Sequence, residues 1–202
     1  MVKRDLIRNI ILIIVVLLIL LGLRLFVWMP YQVKDSDANL ILHSGDQVVA
    51  MQLQKPKRGD FVLYQADGES HIGRVIGQEK DYVASMDNVL YVNHQAQSED
   101  YLKPLKEKYL AKADQNNGYF TNDFTLETLT KSNLTAIPAD QYLILNDNRR
   151  DHKDSRTYGL IKDNQIEGVI TFRLSPLSQF GFIDNGGHDT MEESSSSSQG
   201  QW

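Results

Sequence analysis

Hydrophobic residues are concentrated in one long run near the start of the chain. From Ile10 to Leu23 every residue is apolar or glycine, and after one arginine the run continues to Met29. Counted to Trp28, the run holds about 19 residues, close to the length that crosses a bilayer at roughly 1.5 Å per residue. The pattern therefore predicts a transmembrane helix over residues 10–29.

The charges before this run predict the orientation of the helix. Lys3, Arg4 and Arg8 precede it, and basic residues favour the cytoplasmic side of a membrane. A cleavable signal peptide is the alternative, but no small-residue cleavage site directly follows the run. We expect a single-pass plasma-membrane protein with residues 1–9 in the cytoplasm and the remainder outside the cell.

After Pro30 the pattern changes to short apolar runs separated by Gly, Asp and Asn. Runs of this length between turn residues are typical of β-strands. The predicted strands are Val48–Leu53, Asp60–Tyr64, Ile72–Ile76, Tyr82–Ala84, Val89–Asn93, Tyr142–Leu145 and Val169–Arg173. They predict a mainly β protein, with an antiparallel β domain over residues 30–183.

Two segments differ from this strand pattern. Residues 95–136 contain a lysine-rich stretch with helical spacing, from Tyr101 to Lys112, and too few large apolar residues to fold alone. We interpret them as an α/β cap inserted into the β domain. Residues 184–202 are rich in Gly, Asp, Glu and Ser, which predicts a disordered tail.

Composition excludes several functions. The net charge of −5 and the lack of a basic stripe argue against nucleic-acid binding. The absence of cysteine excludes disulfides, thiolate metal sites and a cysteine nucleophile. His43, His71 and His94 show no metal-ligand spacing. We therefore expect neither a metal nor a cofactor.

The most informative stretch is the charged loop Asn146–Gly159, which directly follows the predicted strand Tyr142–Leu145. It reads Asn-Asp-Asn-Arg-Arg-Asp-His-Lys-Asp-Ser-Arg-Thr-Tyr-Gly. A charged run of this kind is usually a solvated surface loop. Here, opposite charges stand so close in sequence that most are expected to pair with one another.

The order of residues in this loop resembles the last signature of the type I signal peptidase family, Gly-Asp-Asn-Arg-x-x-Ser-x-Asp-Ser-Arg-x-x-Gly. The residues that occupy their places in that pattern are Asp147, Asn148, Arg149, Asp154, Ser155, Arg156 and Gly159. Asn146 stands where the family has Gly, and His152 where it has Ser. The resemblance implies the antiparallel β fold of that family.

The segment Val33–Asp46 resembles the family segment that carries the nucleophile, Val-x-Gly-x-Ser-Met-x-Pro-Thr-Leu-x-x-Gly-Asp. Asp37 occupies the place of the nucleophilic serine, and Asp35 that of the first glycine. Ser36 is the nearest hydroxyl, but neighbouring side chains of a strand point to opposite faces. We therefore expect Ser36 to point away from the groove.

The segment His71–Gly77 resembles the family segment that carries the general base, Tyr-x-Lys-Arg-Val-Ile-Gly. Arg74 matches, but Gly73 stands in the place of the lysine. The chemistry that the resemblance implies needs a serine hydroxyl and a neutral lysine that takes its proton. With Asp37, Gly73 and His152 in place of the nucleophile, the base and the base's support, we predict that the chain is not an enzyme.

The resemblance also implies a function. A signal-peptidase relative with these substitutions looks like the signal-peptidase-like proteins of Gram-positive pilus loci. That likeness implies a membrane-anchored, chaperone-like factor for sortase-dependent pilus assembly, with pilin subunits or the sortase as partners. Its degenerate groove would bind an extended peptide by strand addition. The alternatives are an active signal-peptidase-type serine endopeptidase with unusual site residues and a membrane-tethered interaction protein unrelated to pili.

The remaining residues of interest are expected to shape the groove or support it. They are Asp35, Ser36, Arg74, Asp147, Asn148, Arg149, Asp154, Ser155 and Arg156.

Overall fold

The computed structural model describes residues 2–112 and 118–185 of the 202-residue chain. The serine-rich part of the predicted tail, 186–202, lies outside the described residues. Two antiparallel sheets form the body of the molecule and confirm the predicted fold class.

The N-terminal helix α1 spans Val2–Val27, so it begins before the predicted helix and ends slightly earlier. Among the described residues, no helix is long and apolar enough to cross a membrane. Strand β1, Trp28–Gln32, follows α1 without a loop and contains Pro30. Because β1 pairs with a neighbour on one side of the sheet, it can hold a proline, which has no N–H to donate.

The remaining strands are β2 (Gln47–Met51), β3 (Phe61–Ala66), β4 (Glu69–Gly77), β5 (Val83–Met86), β6 (Val89–Val92), β7 (Gln95–Gln97), β8 (Phe124–Thr125), β9 (Gln141–Leu145), β10 (Ile161–Lys162), β11 (Ile166–Ser175) and β12 (Gly181–Phe182). The other helices are α2 (Lys103–Leu110), α3 (Leu126–Thr130) and α4 (Ser155–Tyr158). Short 3₁₀ turns cover Asp35–Asp37, Asp100–Leu102, Asp163–Gln165 and Leu177–Gln179.

The larger sheet has the order β1-β2-β11-β3-β4-β9-β10, with β12 added to β11. The smaller sheet has the order β7-β6-β5-β8. Residues 95–136 supply β7 and β8 at its two ends, so this segment builds part of a sheet instead of lying on a finished one. Phe124 and Leu126 from this segment pack in one core cluster with Ile76 and Leu143 of the larger sheet.

The two faces of β3 and β4 are both buried. One face contributes Phe61, Leu63 and Ile72 to a cluster with the turn residues Val33 and Leu42. The opposite face contributes residues such as Val62, Tyr64 and Val75 to a cluster beneath β9 and β10. The segment that holds Asp37 and the segment that holds Gly73 are thereby brought to the same region of the larger sheet.

Candidate functional site

The floor of the site is the charged loop, and Asp154 is its centre. The Asp154 carboxylate accepts hydrogen bonds from the backbone N–H of Asn146 at 2.9 Å and of Arg156 at 3.0 Å. The Arg156 guanidinium adds contacts of 2.9 and 2.6 Å to the same carboxylate. Asp154 is fully buried and caps the N-terminus of α4. The loop therefore folds around one carboxylate instead of spreading into solvent.

Ser155 ties this loop to the sheet. Its hydroxyl accepts a hydrogen bond of 2.9 Å from the backbone N–H of Ile144, and both groups are buried. The guanidinium of Arg156 also donates to the carbonyl oxygen of Arg149 at 2.7 Å. The loop is thus fixed to β9 through Ser155, and the bond from Arg156 to Arg149 joins two parts of the loop to each other.

A second buried ion pair joins the loop to β4. Arg74 donates from Nε and Nη2 to the two carboxylate oxygens of Asp147, both at 2.8 Å. Its guanidinium lies 4.1 Å from the ring centroids of both Phe61 and Tyr101. Burial lowers the pKa of Arg74, but the charge and hydrogen bonds of Asp147 together with Tyr101 raise it, so the pKa is raised. Arg74 stays charged, and its neighbours fix its position.

A third buried cation, Arg149, links the loop to the 95–136 segment. Its guanidinium contacts the Glu99 carboxylate and the Tyr101 hydroxyl. Burial lowers the pKa of Arg149, but the acidic groups around it, Glu99 first and then Tyr101, Asp147 and Asp154, together raise it, so the pKa is raised. Among the described residues, its Nε and Nη1 atoms find no hydrogen-bond partner.

The other side of the site is the turn that holds Asp37. Asp37 is 7% exposed, and its Oδ2 accepts a 2.9 Å hydrogen bond from the hydroxyl of Tyr31. The same hydroxyl lies 3.2 Å from the carbonyl oxygen of Ser70. Burial and then Asp37 raise the pKa of Tyr31 well above its usual value.

The backbone that holds Ser36 differs from the strand that the sequence predicts. Asp35–Asp37 is a 3₁₀ turn and not a strand, so adjacent side chains do not alternate between faces. The hydroxyl of Ser36 is exposed and lies 3.4 Å from Oδ1 of Asp37. Asp35 turns to the hydroxyl of Ser44. A hydroxyl and a carboxylate therefore stand side by side at the nucleophile segment.

Gly73 faces a filled space. A Cβ atom at this position would lie 2.4 Å from Cγ2 of Ile144 and 3.4 Å from Cε1 of Tyr64. Cγ2 of a β-branched residue is attached directly to the stiff Cβ and cannot swing away. The volume through which a lysine side chain would leave β4 is occupied by Ile144.

In the described part of the chain, no contact joins His152 to Asp37. Its side chain lines a separate surface pocket together with Phe124, Leu129 and Arg156. Burial, followed by the charge of Arg156, lowers the pKa of His152. Asn148 uses its side-chain oxygen to accept from the backbone N–H of Arg150 at 3.3 Å. No cluster of metal-ligating side chains occurs among the described residues.

Sequence reasoning missed three residues of this site. Tyr31 lies in the unpredicted strand β1, whose proline suggested only the end of the helix. Tyr101 and Glu99 lie in the segment interpreted as a separate cap. A signal for Glu99 was available in the sequence, because Arg149 needed a carboxylate if it was to be buried.

Comparisons with known proteins agree with this architecture. Residues 6–175 match the model of the family described as signal peptidase, peptidase S26. The chain therefore belongs to the signal peptidase family, as the motifs predicted. A signal peptidase I from Bacillus caldolyticus is 37% identical over 165 residues, which are 79% of this chain and 86% of that relative. Signal peptidase IB from Staphylococcus aureus strain MRSA252 is 34% identical over 190 residues, 91% of this chain and 96% of that relative.

A solved structure shows the same fold. The crystal structure of a signal peptidase I from Enterococcus faecalis V583 is 36% identical, with a TM-score of 0.52. The match covers 58% of this chain and 98% of that chain. The prediction that this chain is not an enzyme is contradicted by these relatives, which carry peptidase names at 34–37% identity over most of their length. That prediction rested on three positions, Asp37, Gly73 and His152, whereas the relatives match over most of the chain.

Proposed function

We propose that this protein is a signal-peptidase-type serine endopeptidase that cleaves exported precursors with a rearranged set of catalytic side chains. The observation that carries the proposal is the family match over residues 6–175, which spans both site segments and the charged loop. The ion pairs at the floor support it, since Arg74–Asp147 joins the segment that holds Gly73 to the charged loop and Asp154–Arg156 closes that loop.

The side chains at the turn supply a hydroxyl and a proton acceptor. In the proposed reaction, Oγ of Ser36 attacks the scissile carbonyl carbon and its proton passes to the Asp37 carboxylate, 3.4 Å away. The C–N bond then breaks, the leaving amine takes that proton, and water hydrolyses the resulting ester. A carboxylate is a weaker base than a neutral lysine amine. We therefore expect slow turnover.

The experiment uses the full-length protein in detergent and a synthetic precursor peptide with an Ala-x-Ala cleavage site, analysed by mass spectrometry. The wild type should cut once after this site, and Ser36→Ala should abolish the cut. Ser44→Ala is the matched control, because Ser44 also pairs with a neighbouring carboxylate, that of Asp35. Absence of cleavage by the wild type would contradict the proposal, and cleavage by Ser36→Ala would contradict the assigned nucleophile.

For the substrate we propose pilin subunits that a sortase then joins. The support is the combination of Asp37 and Gly73, on which the resemblance to proteins of pilus loci rests. The full-length protein should co-purify with a pilin precursor more strongly than with another exported protein of similar length. Equal recovery of the two would remove this substrate assignment.

We propose further that the protein acts at the outer surface of the plasma membrane. The support is the basic N-terminus and the exposed aliphatic side chains of α1 between Leu6 and Leu21. Protease added to intact protoplasts should digest the residues after Pro30. Protection of this part, with loss of a tag on the N-terminus, would contradict the orientation.

A further inference from the structure

Strand β4 has a free edge beside the turn that holds Asp37. Residues 69–74 of β4 pair with β3 on one side, but pairing with β9 on the other side begins only at Arg74. In the described ranges, no strand pairs with residues 69–73 on that second side. A short length of β4 is therefore open to an additional strand.

The direction of the backbone groups at this edge follows from alternation along the strand. The N–H and C=O of Val75 bond to Asp60 and Gly59, which precede β3. Successive residues of a strand turn their backbone groups to opposite sides. The N–H and C=O groups of Ser70 and Ile72 therefore point to the free edge, where an extended peptide would bind.

The protein covers this edge with its own side chains. The carbonyl oxygen of Ser70 accepts a hydrogen bond of 3.2 Å from the Lys34 ammonium. The Tyr31 hydroxyl lies 3.2 Å from the same oxygen and shares its one proton between that oxygen and the Asp37 carboxylate. Lys34 is also 3.6 Å from the Glu69 carboxylate. One of the backbone acceptors that an incoming strand needs is thus already in use.

Asp37 fixes the tyrosine in this position. Its carboxylate holds the Tyr31 hydroxyl at 2.9 Å. A hydrogen bond to a charged acceptor is stronger than one between neutral groups. The residue at the nucleophile position therefore anchors the side chain that covers the edge.

We propose that Tyr31, Lys34 and Asp37 form a latch that closes the free edge of β4 and must open before an extended precursor can pair with it. This inference rests on the proposed function, because it regulates the same groove.

The latch is tested by measuring the affinity of the full-length protein in detergent for a fluorescent 12-residue peptide with an Ala-x-Ala site and no charged side chains. Tyr31→Phe removes the hydroxyl and keeps the ring, so it should bind the peptide about three- to tenfold more tightly than the wild type. Lys34→Met should tighten binding by a smaller factor, because the Lys34 side chain is 45% exposed. The matched control is Tyr142→Phe, which removes a tyrosine–aspartate bond, to Asp163 at 3.2 Å, far from the edge.

The outcomes separate this inference from the proposed function. Tighter binding by Tyr31→Phe with an unchanged Tyr142→Phe supports the latch. Equal or weaker binding by Tyr31→Phe, in a protein whose circular dichroism matches the wild type, overturns the latch and leaves the groove assignment intact. If neither the wild type nor Tyr31→Phe binds the peptide, the proposed function and the latch are both overturned. If Tyr31→Phe does not fold, Lys34→Met decides in the same way.

Discussion

The floor of the site, formed by the charged loop and Arg74, buries its charged groups, whereas the free edge of β4 leaves its polar groups partly exposed. At the floor, Arg74 and Asp154 are fully buried, and each makes several hydrogen bonds with fixed geometry. At the edge, Tyr31 and Lys34 are partly exposed and share one carbonyl oxygen. If the floor rearranged, a buried charge would lose its partner. The edge can open because water can replace the hydrogen bonds that Tyr31 and Lys34 lose.

This difference explains which family features the chain keeps. The charged loop keeps the side chains that satisfy one another, since removal of one partner leaves the other uncompensated. Positions 37 and 73 have close neighbours of another kind, since Tyr31 donates to the Asp37 carboxylate and Ile144 fills the space in front of Gly73.

The largest expected effect is at the floor. Asp154→Ala should lower the free energy of unfolding by about 3–5 kcal/mol, because Arg156 loses the carboxylate that balances its charge and the backbone N–H of Asn146 loses its acceptor. Urea unfolding monitored by circular dichroism measures it. Lys108→Ala, on the exposed side of α2, is the control. If the loss in the free energy of unfolding is no larger than that of the control, the loop is a solvated surface loop, as its composition alone suggests.

A smaller effect is expected at the lysine position. Gly73→Ala should destabilise by about 1–3 kcal/mol, because the added Cβ meets Cγ2 of Ile144. In the double variant with Ile144→Ala, part of this cost should disappear, so the two changes should not add. Additive losses in a double-mutant cycle would show that Gly73 is not packed against Ile144. A lysine at 73 has the same Cβ as alanine, so the cycle also indicates whether a lysine there needs a smaller residue at 144.

His152 should give the floor a modest pH dependence. Its pKa is lowered in the folded protein, so the unfolded chain binds more protons between the two pKa values. Stability should therefore fall as the pH drops from about 7 to 5, through the unfolded value near 6.5. His152→Gln should flatten that part of the unfolding curve against pH. An unchanged slope would show that His152 does not contribute.

The smallest effect is expected at the edge. The side chains of Lys34 and Glu69 are 45% and 70% exposed, and their separation is 3.6 Å. An exposed pair of this kind is worth about 0–1 kcal/mol. Glu69→Gln should therefore shift the unfolding midpoint barely beyond error in low salt and not at all in high salt. A shift comparable to that of Asp154→Ala would remove the contrast between floor and edge.

The sequence predicted the floor better than the edge for a physical reason. The charged loop is continuous in sequence, so Asp154 meets Arg156 within three residues, and spacing alone implied that they would pair. The latch joins residues from β1, a 3₁₀ turn and β4. Tyr31 and Ser70 are 39 positions apart, and no local pattern connects them.

Two further misses have local causes. Pro30 suggested a break after the helix, but an edge strand tolerates proline because its N–H is not needed. Strand periodicity does not apply to the segment Asp35–Asp37, which forms a tight turn. The orientation of Ser36 relative to the groove stays a prediction. The predicted domain boundaries, including the inserted cap at 95–136, stay predictions.

Hydrogen exchange of the full-length protein in detergent, followed by mass spectrometry, tests the contrast between floor and edge most directly. Backbone amides of 142–156 should exchange slowly both with and without the Ala-x-Ala peptide. The amides of Ser70 and Ile72, which face the free edge within 69–73, should exchange faster than the floor in the free protein and slow down when the peptide is added. Equal protection of both segments in the free protein, or slowing confined to 142–156, would contradict a rigid floor beside an edge that opens.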